Sequence, residues 1–212
     1  MNDYLCANWQ GLLQMVVYLV ARGYYYHMVV AYPEKKRGKW LEIDKKMIAT
    51  YKCAKTKYQR ARMKKRGEAR LMFLRWESVA VVLHTDGAHS EEMSRAGFVD
   101  IRERYAKILV SEAVAFFVYI DRSRRQATAR LTRESYLWLK EEIGETCLKG
   151  RVYEIRSIVE RLNGFPSWHG VVVQKVNLAK FAVKRARENH KRLSYRDLKI
   201  GTKRKACKVF SE

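Results

Sequence analysis

The sequence predicts an α+β protein, with a mixed β-sheet core, a buried N-terminal helix and a helical C-terminal third. Three observations predict it. Apolar residues recur at helical spacing from Trp9 to Val20. Short runs rich in β-branched and aromatic residues then fill much of the span from Tyr24 to Leu131. From Thr132 the periodicity turns helical and stays so to Glu188.

The elements follow in chain order. Trp9, Leu12, Leu13, Val16, Val17 and Val20 mark a largely buried helix over residues 7–22, ended near Gly23. Tyr24–Tyr32 reads as a strand stopped by Pro33, Glu34–Lys39 as a charged turn and Leu41–Tyr51 as an amphipathic helix. ARLMFLRWESVAVVL, Ala69 to Leu83, divides into two short strands around Glu77-Ser78. Phe98–Arg104, Val114–Asp121 and Ala127–Leu131 are further strands, the last two facing each other across the basic loop Arg122–Arg125. Thr132 is placed to cap a helix carrying Tyr136, Leu137, Leu139, Ile143 and Cys147 at helical spacing. Arg151–Leu162 and His169–Glu188 are two more helices, separated by the turn Asn163–Pro166. Two prolines, no low-complexity linker and no internal repeat predict a single domain over residues 1–193 and a basic tail over 194–212.

Composition bounds the function. Of 212 residues 48% are hydrophobic and 12% aromatic, enough for a real core and too much for a disordered chain. Lys and Arg number 44 against 22 Asp and Glu, a formal charge of +22. Charge of one sign at that density repels itself in a compact state, which points to a polyanionic partner. The excess is concentrated. Between Lys35 and Arg75 sixteen cations face three acids, between Lys184 and Lys208 eleven face two, and the rest of the chain is neutral on balance.

Anionic lipid is the competing polyanion. The uncharged run Tyr4–Ala21 contains Asn8, Gln10, Gly11 and Gln14, is short for a spanning helix and lacks a basic leader, so a core helix is expected and membrane is the weaker partner. Cys6, Cys53, Cys147 and Cys207 are scattered with no CxxC pair, which argues against zinc and for reduced thiols in a cytoplasmic protein.

Two nucleic-acid-binding segments follow from the charge. KCAKTKYQRARMKKRGEAR supplies Lys55, Lys57, Arg60, Arg62, Lys64, Lys65, Arg66 and Arg70 for phosphates, with Tyr58 as a stacking face. The second block supplies Lys184, Arg185, Arg187, Lys191, Arg192, Lys203, Arg204 and Lys205, the last three in a tail expected to order against its partner. Tyr24 and Tyr26 share one face of an alternating strand, Tyr25 the other, so a solvent-facing pair would offer a stacking surface.

One stretch carries candidate chemistry. LHTDGAHSEE, Leu83 to Glu92, brings His84, Asp86, His89, Glu91 and Glu92 to a loop after a strand, the kind of set that holds Mg²⁺ or Mn²⁺ beside a phosphate. Its spacing matches no metal motif of known geometry, and a polar turn at Asp86-Gly87 with locally bonded histidines explains it more simply. His27 and His169 read as structural. FLRWESVAVVL resembles the palm hairpin of reverse transcriptases, but Glu77-Ser78 stands where that family carries an aspartate pair, so polymerase activity is not implied. The order helix, strand, helix, hairpin with a histidine at a strand end resembles rolling-circle replication and transposition nucleases. His84-Thr85-Asp86 replaces their His-hydrophobic-His strand, which leaves His84 as the matching ligand and Tyr136 as the formal nucleophile.

The leading expectation is therefore a nucleic-acid binder, RNA or DNA, gripping phosphates through two basic blocks, in a nucleoprotein complex with other proteins. The alternative is a metal-dependent nicking nuclease of a mobile element that uses His84, Asp86 and His89. A peripheral membrane protein is the weaker third reading.

Overall fold

Asn8 starts the first helix by accepting a hydrogen bond from the Gly11 backbone N–H at 2.7 Å. In the computed structural model, which describes residues 4–89, 96–202 and 207–211, this helix is α1, Trp9–Val20. Leu12, Leu13, Val16, Val17, Leu19 and Val20 are buried along it, as the apolar spacing predicts. Gly11 has a packing reason: a Cβ there would lie 2.8 Å from the carbonyl oxygen of Val209. The chain divides into two compact units, Met1–Ile108 with Val118–Ala127 and Cys207–Glu212, and Leu109–Phe117 with Thr128–Ala206.

The first unit is built on a four-stranded antiparallel sheet of order β2-β3-β1-β4, from β1 (Tyr26–Ala31), β2 (Leu71–Trp76), β3 (Val79–His84) and β4 (Val99–Asp100). β2 and β3 form the hairpin expected around Glu77-Ser78, with Glu77 at φ +45°. All six residues of β3 are buried, which is why it reads as a continuous apolar run rather than an alternating one. β1 pairs with β3 in a register that sets Tyr26 opposite His84 and Ala31 opposite Val79. The expected strand Phe98–Arg104 shrinks to β4. The Asp100 carboxylate accepts from the Arg102 backbone N–H at 2.8 Å and turns the chain.

α2 (Trp40–Thr50) and α3 (Lys57–Lys65) lie between β1 and β2 in the chain. α2 buries Trp40 and Asp44. Asp44 is 0% exposed and takes the Arg75 guanidinium Nε at 2.8 and 2.9 Å and the Tyr32 hydroxyl at 3.0 Å. Arg75 also donates to the Glu77 carbonyl at 2.8 Å and lies over the rings of Tyr32 and Trp40. Burial, with the Asp44 charge next, pushes the Tyr32 phenol up. One cation of the basic block is thus held in an internal ion pair.

A second antiparallel sheet has the order β5-β6-β7, from β5 (Ala106–Leu109), β6 (Ala115–Asp121) and β7 (Gln126–Leu131), and the chain division passes through its strands. β5 has no counterpart among the sequence expectations.

In the second unit α4 (Arg133–Lys149), α5 (Val152–Arg161) and α6 (His169–Glu188) pack on one another. Thr132 caps α4 as expected, accepting from the Ser135 backbone N–H at 3.3 Å. Ala179, Ala182 and Ala186 are fully buried on α6, and small residues there let helices approach closely. Lys175 is 0% exposed, with its ammonium donating to the Gly201 carbonyl at 2.7 Å, the Ser167 hydroxyl at 3.3 Å and the Phe165 carbonyl at 3.4 Å.

The stretch read as a basic tail is divided between the two compact units. Residues 194–201 pack on the helical unit: Ser194 and Asp197 cap a short 3₁₀ turn, Leu198 is 1% exposed, and the Gly201 N–H donates to Asn163 at 2.7 Å. Residues 207–211 join the first unit, where Ala7 N–H donates to the Val209 carbonyl and Ser211 N–H to the Leu5 carbonyl, both at 2.9 Å. Lys203, Arg204 and Lys205 lie outside the described residues. No helix among the described residues is long and apolar enough to cross a membrane.

Candidate nucleic-acid interface

α3 is short and so polar that no residue of it is buried. Its ends hold it. Thr56 and Gln59 form a capping box, Thr56 N–H to Gln59 Oε1 at 2.8 Å and Gln59 N–H to Thr56 Oγ1 at 3.2 Å. At the other end Gly67, at φ +72°, lets the Glu68 N–H reach the Met63 carbonyl at 3.0 Å. The helix therefore needs none of its cations for its own closure, apart from Arg60, which donates to the Lys55 carbonyl. Tyr58 is 80% exposed.

Gln59, Arg62, Met63 and Arg66 recur at i, i+3, i+4 and i+7 and so share one face. That face is one wall of a groove of about 510 Å³. Thr50, Tyr51, Lys52 and Lys55 from the end of α2 line it, as do Ala69, Leu71, Ala88 and His89. Four cations stand against a single carboxylate, Glu68, which pairs with Arg66 at 3.7 Å. Lys52 occupies the position after α2 at φ +50°, where its N–H bonds the Ala49 carbonyl at 3.2 Å and the Cys53 N–H bonds the Ile48 carbonyl at 3.0 Å.

The His84–His89 loop meets the basic helix here. Ala88 N–H donates to the Gly67 carbonyl and Ala69 N–H to the Ala88 carbonyl, both at 2.9 Å, so the loop is stitched to the chain leaving α3. Gly87 at φ +133° makes this possible. The three candidate catalytic residues stay near one another, with the His84 and His89 ring centroids 5.8 Å apart, but take different partners. His89 is exposed in the groove, its Nδ1 3.0 Å from the Gly87 carbonyl. Asp86 turns to Arg102 at 3.4 Å, and a hydrogen bond to Asp86 pushes the Tyr26 phenol up. His84 is 5% exposed, stacked on Tyr26 at 4.6 Å and edge-on to Phe98 at 4.6 Å, with Nδ1 2.9 Å from the Thr85 carbonyl. Among the described residues no group of three or more His, Cys, Asp or Glu side chains is placed to hold a metal ion. Glu91 and Glu92 lie outside the described residues.

Burial pushes the His84 imidazole below its ordinary value, and burial does the same to His27. Both rings are therefore favoured neutral when folded. The unfolded chain takes their protons first as pH falls through about 6.5, so their contribution is absent above that value and destabilising below it. Thermal melts at pH 8, 6.5 and 5 are expected to show stability falling toward acid, by up to about 1.4 kcal/mol per pH unit per histidine until the folded ring protonates. His84→Phe, which keeps an aromatic ring between Tyr26 and Phe98, is expected to flatten that fall; an unchanged slope would place the acid sensitivity elsewhere.

The other expected contacts are divided. Lys57, Lys64, Lys65 and Arg62 are exposed and pair with no carboxylate among the described residues. Arg70 lies over the Tyr24 ring at 5.3 Å, and Tyr24 is buried, so Tyr24 offers no face to a base. Tyr25 and Tyr26 are both covered by the Arg102 guanidinium, at 4.6 and 5.6 Å. In the helical unit Arg185 pairs with Glu188 at 2.8 Å and Lys184 with the same residue at 4.0 Å, while Lys191 caps α4 by donating to the Cys147 and Leu148 carbonyls. Arg187 and Arg192 are exposed. Sequence reasoning held Lys52 and Gln59 within the basic segment without assigning them contacts and missed Tyr51; the i, i+3, i+4, i+7 recurrence from Gln59 was the signal available for one of them. Burial pushes the Cys6 and Cys53 thiols up to about 12, which leaves them protonated and inert at neutral pH. Comparison with protein-family models finds no match, and comparison with curated proteins finds no relative of this chain.

Proposed function

We propose that the chain binds nucleic acid by its phosphate backbone, with α3 and the groove beside it as the principal grip. The observation that supports this most directly is a helix with no buried residue whose ends close without help from Lys57, Arg62, Lys64 or Lys65. Such cations repel one another in the free protein, and polyanion binding relieves that repulsion by releasing the counterions of the nucleic acid. The second block contributes less to the grip, since Lys184, Arg185 and Lys191 already have internal partners.

The test is affinity for labelled nucleic acid across a salt series. Affinity is expected to fall steeply, with each phosphate contact adding about −0.7 (single strand) or −0.9 (duplex) to the log–log slope. Lys57→Gln, Arg62→Gln, Lys64→Gln and Lys65→Gln combined are expected to flatten that slope by about 3 and leave the melting temperature unchanged. A wild-type slope near zero would remove the charge argument altogether.

A further inference from the structure

We infer that the groove behind α3 seats one unpaired nucleotide, so that the nucleic acid gripped by this protein is single-stranded where it crosses the helix. The inference rests on the phosphate-binding reading above and adds the state of the strand. Its ground is shape. Arg62 and Arg66 line a concavity beside α3 as well as facing solvent. The phosphates of a duplex lie on a stiff convex rod, which reaches a protruding helix and cannot enter a recess behind one. An unpaired nucleotide can be splayed into it.

Size and lining agree with that occupant. At about 510 Å³ the groove is far larger than one phosphate needs and lies within the roughly 300–1,000 Å³ typical of sites for small organic ligands. Its rim carries Lys52, Lys55, Arg62 and Arg66, while Met63 and Leu71 give it apolar surface. The Tyr51 ring is half-buried, braced edge-on by Phe98 at 5.7 Å, and lines the groove as an aromatic surface for a base. Tyr58, one turn before Arg62 on α3, is 80% exposed and offers its ring to the neighbouring base.

Lys52, at φ +50° just past α2, places its cation on the same lining.

The experiment compares single-stranded and blunt duplex oligonucleotides of equal length, at one salt concentration, by fluorescence anisotropy. Charge density alone favours the duplex. The groove reverses this, and the single strand is expected to bind at least tenfold more tightly. Thr50→Trp fills the groove from an exposed position without changing charge; it is expected to weaken single-strand binding about tenfold and duplex binding far less, with the melting temperature unchanged. Arg62→Gln is expected to reduce the single-strand preference as well. Duplex binding equal to or tighter than single-strand binding, with Thr50→Trp without effect on either, would overturn the nucleotide seat and leave the phosphate grip standing. Salt-independent or undetectable binding of both would overturn the grip itself.

Discussion

Asp44→Ala is expected to cost about 3–5 kcal/mol, because it strands the Arg75 guanidinium in the core without a counter-charge. Both side chains are buried, and the carboxylate also accepts the Tyr32 hydroxyl at 3.0 Å. Against a total stability of about 5–15 kcal/mol, typical of domains, that is a large fraction. Denaturant titration should show the transition midpoint falling with little change in its slope. The double substitution Asp44→Leu with Arg75→Met supplies the contrast. It removes both charges and fills similar volume, so it is expected to be more stable than either charge-removing single variant. An unfolding free energy for Asp44→Ala within about 0.5 kcal/mol of wild type would mean that water reaches the pair in solution.

Gly87→Ala is expected to cost about 2–4 kcal/mol and to weaken nucleic-acid binding along with stability. The added Cβ would lie 2.6 Å from the Gly67 carbonyl oxygen and 2.7 Å from the Ala69 nitrogen, and backbone cannot yield as a side-chain tip does. The residue also sits at φ +133°, which side chains rarely adopt. Both strains act where the loop is stitched to the chain leaving α3, so Ala88 and His89 shift away from the groove they line. Gly38→Ala is the control. A Cβ there meets nothing within 4 Å, and its melting temperature and affinity are expected to stay at wild-type values. Equal behaviour of the two variants would show that the close approach at Gly87 does not constrain the site.

Much of the fold was legible because its signals are local. The 3.6-residue period of α1, α4 and α6, the Thr132 cap and the two-residue hairpin turn at Glu77-Ser78 each lie within a few residues of sequence. β4 was overextended because the Asp100 side chain, competing for the Arg102 backbone, ends a run that still reads as strand. β5 was missed because four residues, alternating buried and exposed, carry too little pattern.

The site was half legible for the same reason. Charge density singled out the block Lys35–Arg75, which contains Lys57 and Arg75 alike. Their fates differ because Asp44, 31 residues from Arg75 in sequence, waits in the core, whereas Lys57 meets no acid among the described residues. The His84, Asp86 and His89 cluster looked like one ligand set because the three residues span six positions. His84 and His89 do stay together, with ring centroids 5.8 Å apart, but His84 is buried between Tyr26 and Phe98, Asp86 pairs with Arg102 and His89 lines the groove, partners that sequence spacing does not encode.

What the sequence by itself determined is the α+β class, the order of most elements, and a concentrated positive charge, all consequences of short-range periodicity and composition. What the tertiary structure alone decided is which cations are spent inside the protein, that the loop after β3 joins the chain leaving α3, and that residues 207–211 return to α1. These depend on contacts between residues far apart in sequence, such as Ala7 with Val209 or Gly67 with Ala88. Their energy is gained only after the chain has closed the loop between them, so no local pattern announces them.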